Sequence, residues 1–148
     1  MVRDITGKHD QYYEAILQLR DVEEKVHNMV IEEIMKCQIY SPKQIELKNG
    51  IDIYLADNKF TLNLVRELQK RFIAEVKVST KLFTVKDGKE LHRVTILFRQ
   101  FPFNRGDIVE FNGDEYEILS VYKDILMKSG NKKIHVQFKD ASRIRRLS

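Results

Sequence analysis

The chain of 148 residues contains one cysteine, Cys37, which rules out an internal disulfide framework and any zinc site assembled from several cysteines. Tryptophan is absent, and two prolines and six glycines form no low-complexity linker. No apolar run approaches the roughly 18 residues of a membrane-spanning helix. The opening MVRDITGKHDQ has neither the apolar centre nor the small-residue end of a secretory leader. No glycine-rich phosphate loop occurs, which speaks against nucleotide binding at a strand-to-helix joint. An excess of one charge is missing too: 26 Lys and Arg face 22 Asp and Glu, a formal +4 that hints only weakly at an anionic partner. These absences predict a cytoplasmic protein that folds without a cofactor.

What is present is apolar patterning. Hydrophobic residues make up 43% of the chain and charged ones of both signs 32%, enough for a core beneath a soluble surface. In YYEAILQLRDVEEKV, residues 12–26, the period changes midway. Tyr13, Ala15, Leu17 and Leu19 fall on one face of a strand, and Glu14, Gln18 and Arg20 on the other. From Asp21 the spacing is helical: Val22, Val26, Met29, Val30, Ile34 and Cys37 recur as one stripe. Asp21 with Glu24 three residues on predicts a capping box, and Pro42 sets the limit for the helix end.

Downstream, Asn49-Gly50 between two alternating runs predicts a hairpin turn, with a loop feeding a single strand as the alternative. A second helix is predicted after Asp57-Asn58, with Phe60, Leu64, Leu68 and Phe72 on its inner side. Two strands then meet at Lys86-Asp87-Gly88. A three-residue loop with a left-handed Gly88 pairs Val76 with Phe98, Val78 with Ile96 and Thr80 with Val94, all apolar or neutral, so a bulged turn is expected there. Beyond Pro102 and Gly106 short strands follow, with turns at Asn112-Gly113 and Ser129-Gly130-Asn131, the texture of a small barrel. The fold class expected is α+β: a two-helix α/β sandwich-type domain over residues 1–100, then a small SH3/OB-like β-barrel over 101–148.

Catalytic constellations are hard to find. His9, His27, His92 and His135 are scattered and form no metal-binding doublet. Cys37 occupies a core-facing helical position, where a thiol behaves as a small hydrophobe. Glu23-Glu24 and Glu32-Glu33 read as a solvated helix face. No nucleophile stands beside a base, so an enzyme is not expected and no metal site is assigned.

Basic residues are the remaining signal. On the expected hairpin, Lys77, Lys81, Arg93 and Arg99 share a face with Phe83, and cations interleaved with an aromatic ring suit RNA. Arg105 lies in the polar turn that follows. From Lys128 onward there are 7 basic residues and 1 acidic: Lys128, Lys132, Lys133, Lys139, Arg143, Arg145 and Arg146 against Asp140. Such density suits several phosphates at once. These positions are the candidate RNA-binding residues, and a protein–protein interaction module without RNA binding is the alternative.

The stretches YYEAILQLR, NGIDIYLADNKFTLNLVRELQKRF, AEVKVSTKLFTVKDGKELHRVTILFR and FNRGDIVEFNGDEYEILSVY together resemble the central and C-terminal modules of the large-ribosomal-subunit export adaptor family. The resemblance runs from about Tyr12 to Ser142. It implies a ribosomal-protein-like α/β module followed by a barrel like that of the hypusine-bearing translation factor. It also implies contact with ribosomal RNA and proteins on the intersubunit side of the large subunit. The chain shows neither the Cys-x-x-Cys zinc modules common in the family nor a long acidic, leucine-rich tail. The missing zinc modules leave a trimmed chain or a shortened relative as alternatives, and the short tail fits an archaeal relative acting in assembly or quality control of the large subunit.

Overall fold

The computed structural model describes residues 11–147. The protein is α+β, with two five-stranded sheets and two α-helices among the described residues. It divides into two compact units: one holds the chain up to Arg71 together with Val76–Arg99, the other holds Phe72–Glu75 and the chain from Gln100.

The first unit runs β1 (Ala15–Arg20), α1 (Glu24–Lys36), β2 (Lys43–Leu47), β3 (Gly50–Leu55), α2 (Asn58–Arg71), β4 (Ala74–Lys86) and β5 (Lys89–Gln100), with sheet order β2-β3-β1-β5-β4. Central β1 pairs antiparallel with β3 and parallel with β5. Alternation along the three strands builds cross-sheet rows: Leu55–Ala15–Val94, Ile53–Leu17–Ile96 and Ile51–Leu19–Phe98. All nine are buried. Fully burying a side chain of Val, Leu, Ile or Phe type contributes about 1.5–3 kcal/mol, so the rows are a large part of what stabilises the unit. The helices complete the layer above them. Val26, Val30 and Ile34 recur every four residues on α1, and Thr61, Leu64, Val65 and Leu68 are buried from α2, which touches both α1 and β1.

Several local expectations change. Asp21 caps no helix: its backbone is left-handed (φ 54°), its N–H donates to the Asn49 carbonyl at 2.9 Å, and α1 begins only at Glu24 with no side-chain cap. Asp57 caps α2, accepting from the Phe60 N–H at 2.9 Å. The β2–β3 hairpin exists, but its loop is Lys48-Asn49, and Gly50 already pairs with Leu47. Gly50 is required by proximity: a Cβ there would stand 1.8 Å from the Leu19 carbonyl oxygen. Between β4 and β5 the loop is two residues, Asp87 (φ 52°) and Gly88 (φ 75°), the double left-handed turn whose twist matches the strands, in place of the expected bulged turn. Val78, expected to face the core opposite Ile96, is 53% exposed on the outermost strand, where the shorter β4–β5 turn departs from the register that expectation assumed. Cys37 closes α1 as its C-terminal cap residue and is only partly buried.

The second unit contains β6 (Ile108–Phe111), β7 (Asp114–Val121), β8 (Ile125–Ser129), β9 (Lys132–Val136), a 3₁₀ segment Phe138–Arg143 and β10 (Arg145–Arg146), in sheet order β10-β6-β7-β8-β9. Asn112 (φ 53°) and Gly113 (φ 86°) form the β6–β7 turn. Val109, Tyr116, Ile118, Ile125, Met127 and Val136 project to one core that also takes in Ile73, Phe101, Phe103 and Ile144. The Phe101 and Phe103 rings stack at 5.4 Å. Ile73 joins this core rather than that of the α2 unit, and its carbonyl accepts from the Phe101 N–H at 3.0 Å. Among the described residues no pairing joins β10 to β9, so the sheet does not close. No helix among the described residues is long and apolar enough to cross a membrane.

Candidate nucleic-acid interface

Among the described residues the helices cover one face of the first sheet and leave the other open. On that face stand the residues that alternate with the buried rows: Ile16, Gln18 and Arg20 on β1, Tyr54 and Asp52 on β3, Thr95 and Arg99 on β5. Where the chain enters β1 the alternation inverts. Glu14, expected to point outward, is only 8% exposed and accepts from the Asn58 N–H at the start of α2 (3.1 Å) and from the Tyr12 hydroxyl. Tyr13, expected in the core, turns to the open face instead, because β1 begins only at Ala15 and the preceding bend releases it.

Tyr13 there becomes the centre of a row of rings and cations. The Arg93 guanidinium lies 3.8 Å from the centre of the Tyr13 ring and 4.1 Å from that of Phe83. Arg93 Nε donates to the Tyr13 carbonyl at 3.2 Å. Tyr13 meets Tyr54 edge-on at 4.8 Å, and Lys43 Nζ stands 5.2 Å from the Tyr54 ring centre. The row Lys43–Tyr54–Tyr13–Arg93–Phe83 thus crosses the sheet from β2 to β4. Beside it lies a groove of about 690 Å³ floored by Ile16 and Thr95 and rimmed by Ser79 and Lys81.

This geometry changes what Phe83 does. A ring expected to stack a nucleobase is already engaged by the Arg93 guanidinium, which lies over the Tyr13 ring as well. Two rings and the bond from Nε restrict the guanidinium, and its fork of N–H donors suits oxygen acceptors such as phosphate. Lys77 and Lys81 are exposed on β4, and among the described residues neither has an ion pair. Arg99 shares the open face but is paired with Asp21 at 3.2 Å. Arg20, salt-bridged to Asp52 at 2.6 Å, is likewise engaged.

The basic cluster of the second unit separates into two groups. Arg145 pairs with Glu110 (2.8 Å) and Arg146 with Asp107 (3.3 Å). Arg143 pairs with Asp140 (3.8 Å), bonds the Asn112 side chain and lies over the Phe111 ring. These arginines are held by acceptors of their own unit. Lys128, Lys132, Lys133 and Lys139 have no ion pair among the described residues. Lys128 of β8 stands directly opposite Lys133 of β9, with Glu117 of β7 on its other side. Like charges directly opposite one another destabilise a sheet, and a bound anion would relieve the repulsion. Arg105 is exposed in the turn before β6.

Sequence reasoning missed Tyr13, Tyr54 and Lys43. Tyr54 was discoverable: it alternates with the buried Ile53 and Leu55, which puts its ring on the uncovered face. Among the remaining expectations, His9 lies outside the described residues. His27, His92 and His135 lie apart, His135 accompanied by Asp124 at 3.0 Å and His92 by Glu90 at 3.3 Å. Cys37 borders a shallow groove between α1 and α2, with its sulfur 4.0 Å from a Glu33 carboxylate oxygen. No group of His, Cys, Asp or Glu among the described residues is arranged to hold a metal.

Comparison with known proteins matches residues 12–99, more than half of the chain, to the family model described as NMD3, second domain. No curated protein matches the chain.

Proposed function

The chain belongs to the NMD3 family of large-ribosomal-subunit export adaptors, and from that premise we propose that it is a non-enzymatic protein that binds the large ribosomal subunit through ribosomal RNA. Its place is in assembly, quality control or escort of that subunit in the cytoplasm. The observation that carries this reading is Arg93, clamped between Tyr13 and Phe83 beside a groove rimmed by Lys81 on a sheet face that no helix among the described residues covers. A cation fixed by two rings is already ordered before binding, so less side-chain entropy is lost when a phosphate arrives.

Lys77, Lys81, Arg93 and Arg99 form one contact surface, with Phe83 as the wall that holds Arg93. Arg105, Lys128, Lys132, Lys133, Lys139, Arg143, Arg145 and Arg146 form a second, in which the lysines supply the larger share because the arginines already have acceptors. Residues 1–100 act as the ribosomal-protein-like domain. Residues 101–148 act as an SH3/OB-like, translation-factor-like module despite the unclosed strand order.

The test is co-sedimentation with purified large and small ribosomal subunits across a salt series. Binding to the large subunit alone, weakening as salt rises, is the expected result, since each phosphate neutralised releases counterions. Equal binding to both subunits would reduce the function to general RNA affinity. No binding at low salt would overturn it.

A further inference from the structure

We propose that the outer edge of β4 is a docking site for an extended protein segment in which acidic and apolar residues alternate, added to the sheet as a sixth strand. β4 is 13 residues long and outermost in the order β2-β3-β1-β5-β4, so among the described residues it has a hydrogen-bonded neighbour on one side only. Its other side presents a row of backbone donors and acceptors, a template for strand addition. Large apolar side chains stand exposed along it: Val78 is 53% exposed and Leu82 47%. Lys77 and Lys81 alternate with them and have no ion pair among the described residues. An incoming strand with the same two-residue period sets apolar side chains beside Val78 and Leu82 and carboxylates beside Lys77 and Lys81.

The charges select this occupant over a second copy of the chain. In a continuous sheet, a symmetric antiparallel pair of β4 strands gathers Lys77 and Lys81 of both copies on one face, four like charges against one Glu75 from each copy. Lysines on a long edge strand ordinarily deter such pairing. An acidic strand turns the same lysines into attractive contacts. The docking surface shares Lys77 and Lys81 with the RNA surface proposed above, and Leu82 with the groove beside Arg93, whereas the strand's outer backbone edge and Val78 belong to docking alone.

The probe is a labelled ten-residue peptide alternating Glu and Val, titrated into the full chain by fluorescence anisotropy. Amide hydrogen exchange is followed over residues 76–84. Saturable binding with slowed exchange in that window is expected. The exposed double substitution Val78→Glu with Leu82→Glu should weaken it at least tenfold while leaving the melting temperature unchanged. A peptide of the same composition with its glutamates blocked at one end should bind at least tenfold more weakly than the alternating one. Three outcomes overturn the proposal: no binding at millimolar peptide, equal binding of both peptides, or binding without protection of β4. If an RNA oligonucleotide protects these amides and the peptide does not, the edge belongs to a nucleic-acid surface and the proposal fails.

Discussion

Arg93 is joined to Tyr13 twice, by its guanidinium 3.8 Å from the centre of the ring and by its Nε donating to the Tyr13 carbonyl at 3.2 Å. One side chain thereby ties β5 to the segment entering β1 and gives the open face its ordered cation. Replacing Arg93 with Lys keeps the charge but loses the planar stack and the fork of donors. RNA affinity is expected to fall by about 1 kcal/mol, roughly fivefold, with the salt slope nearly unchanged. A filter-binding series at several salt concentrations checks both.

The second-unit basic residues should differ in their effects. Lys132→Ala with Lys133→Ala should lower the salt slope by roughly 1.4, because each phosphate of single-stranded RNA left without its lysine removes about 0.7. Arg145→Ala with Arg146→Ala should lower it less, because both arginines are already paired with carboxylates of their own unit. Equal slopes for the two double variants would show that the internal pairs open on binding.

Gly50→Ala is expected to destabilise the first unit. The new Cβ would stand 1.8 Å from the Leu19 carbonyl oxygen, and a backbone atom of the central strand has little room to yield. Overpacking of this kind costs about 1–3 kcal/mol, a loss of several degrees in thermal melting followed by circular dichroism. Gly113→Ala places its Cβ in open space and tests only the left-handed turn.

Glu14→Ala should weaken α2 at its start. The carboxylate is buried and accepts the Asn58 N–H, so its loss leaves an inward-facing donor without that acceptor. A cost of about 1–2 kcal/mol is expected, the range of a lost helix cap, read from the urea midpoint.

Where periodicity was strict, the sequence was a good guide. The order strand, helix, hairpin, helix, strand, strand followed from it, as did the short strands of the second half, because a period of 2 or 3.6 is imposed by backbone geometry wherever one face is buried. The α2 cap at Asp57 stands directly before its helix, where local chemistry decides. The basic residues were legible too, but not which of them are occupied: an arginine's partner, such as Glu110 for Arg145, comes from a distant strand.

Elsewhere a local rule met a stronger distant demand. Asn49-Gly50 reads as a turn, yet the glycine is there so that β3 can lie against Leu19. Asp21 reads as a helix cap, yet its N–H is taken by Asn49 and its carboxylate by Arg99, 78 positions along the chain. Tyr13 and Glu14 exchange faces because the strand starts later than its pattern. Residue identity and period specified the elements, the core faces and the distribution of charge. Pairing between distant strands decided which of those charges are held and which rings surround Arg93, because those contacts close only when the chain has folded.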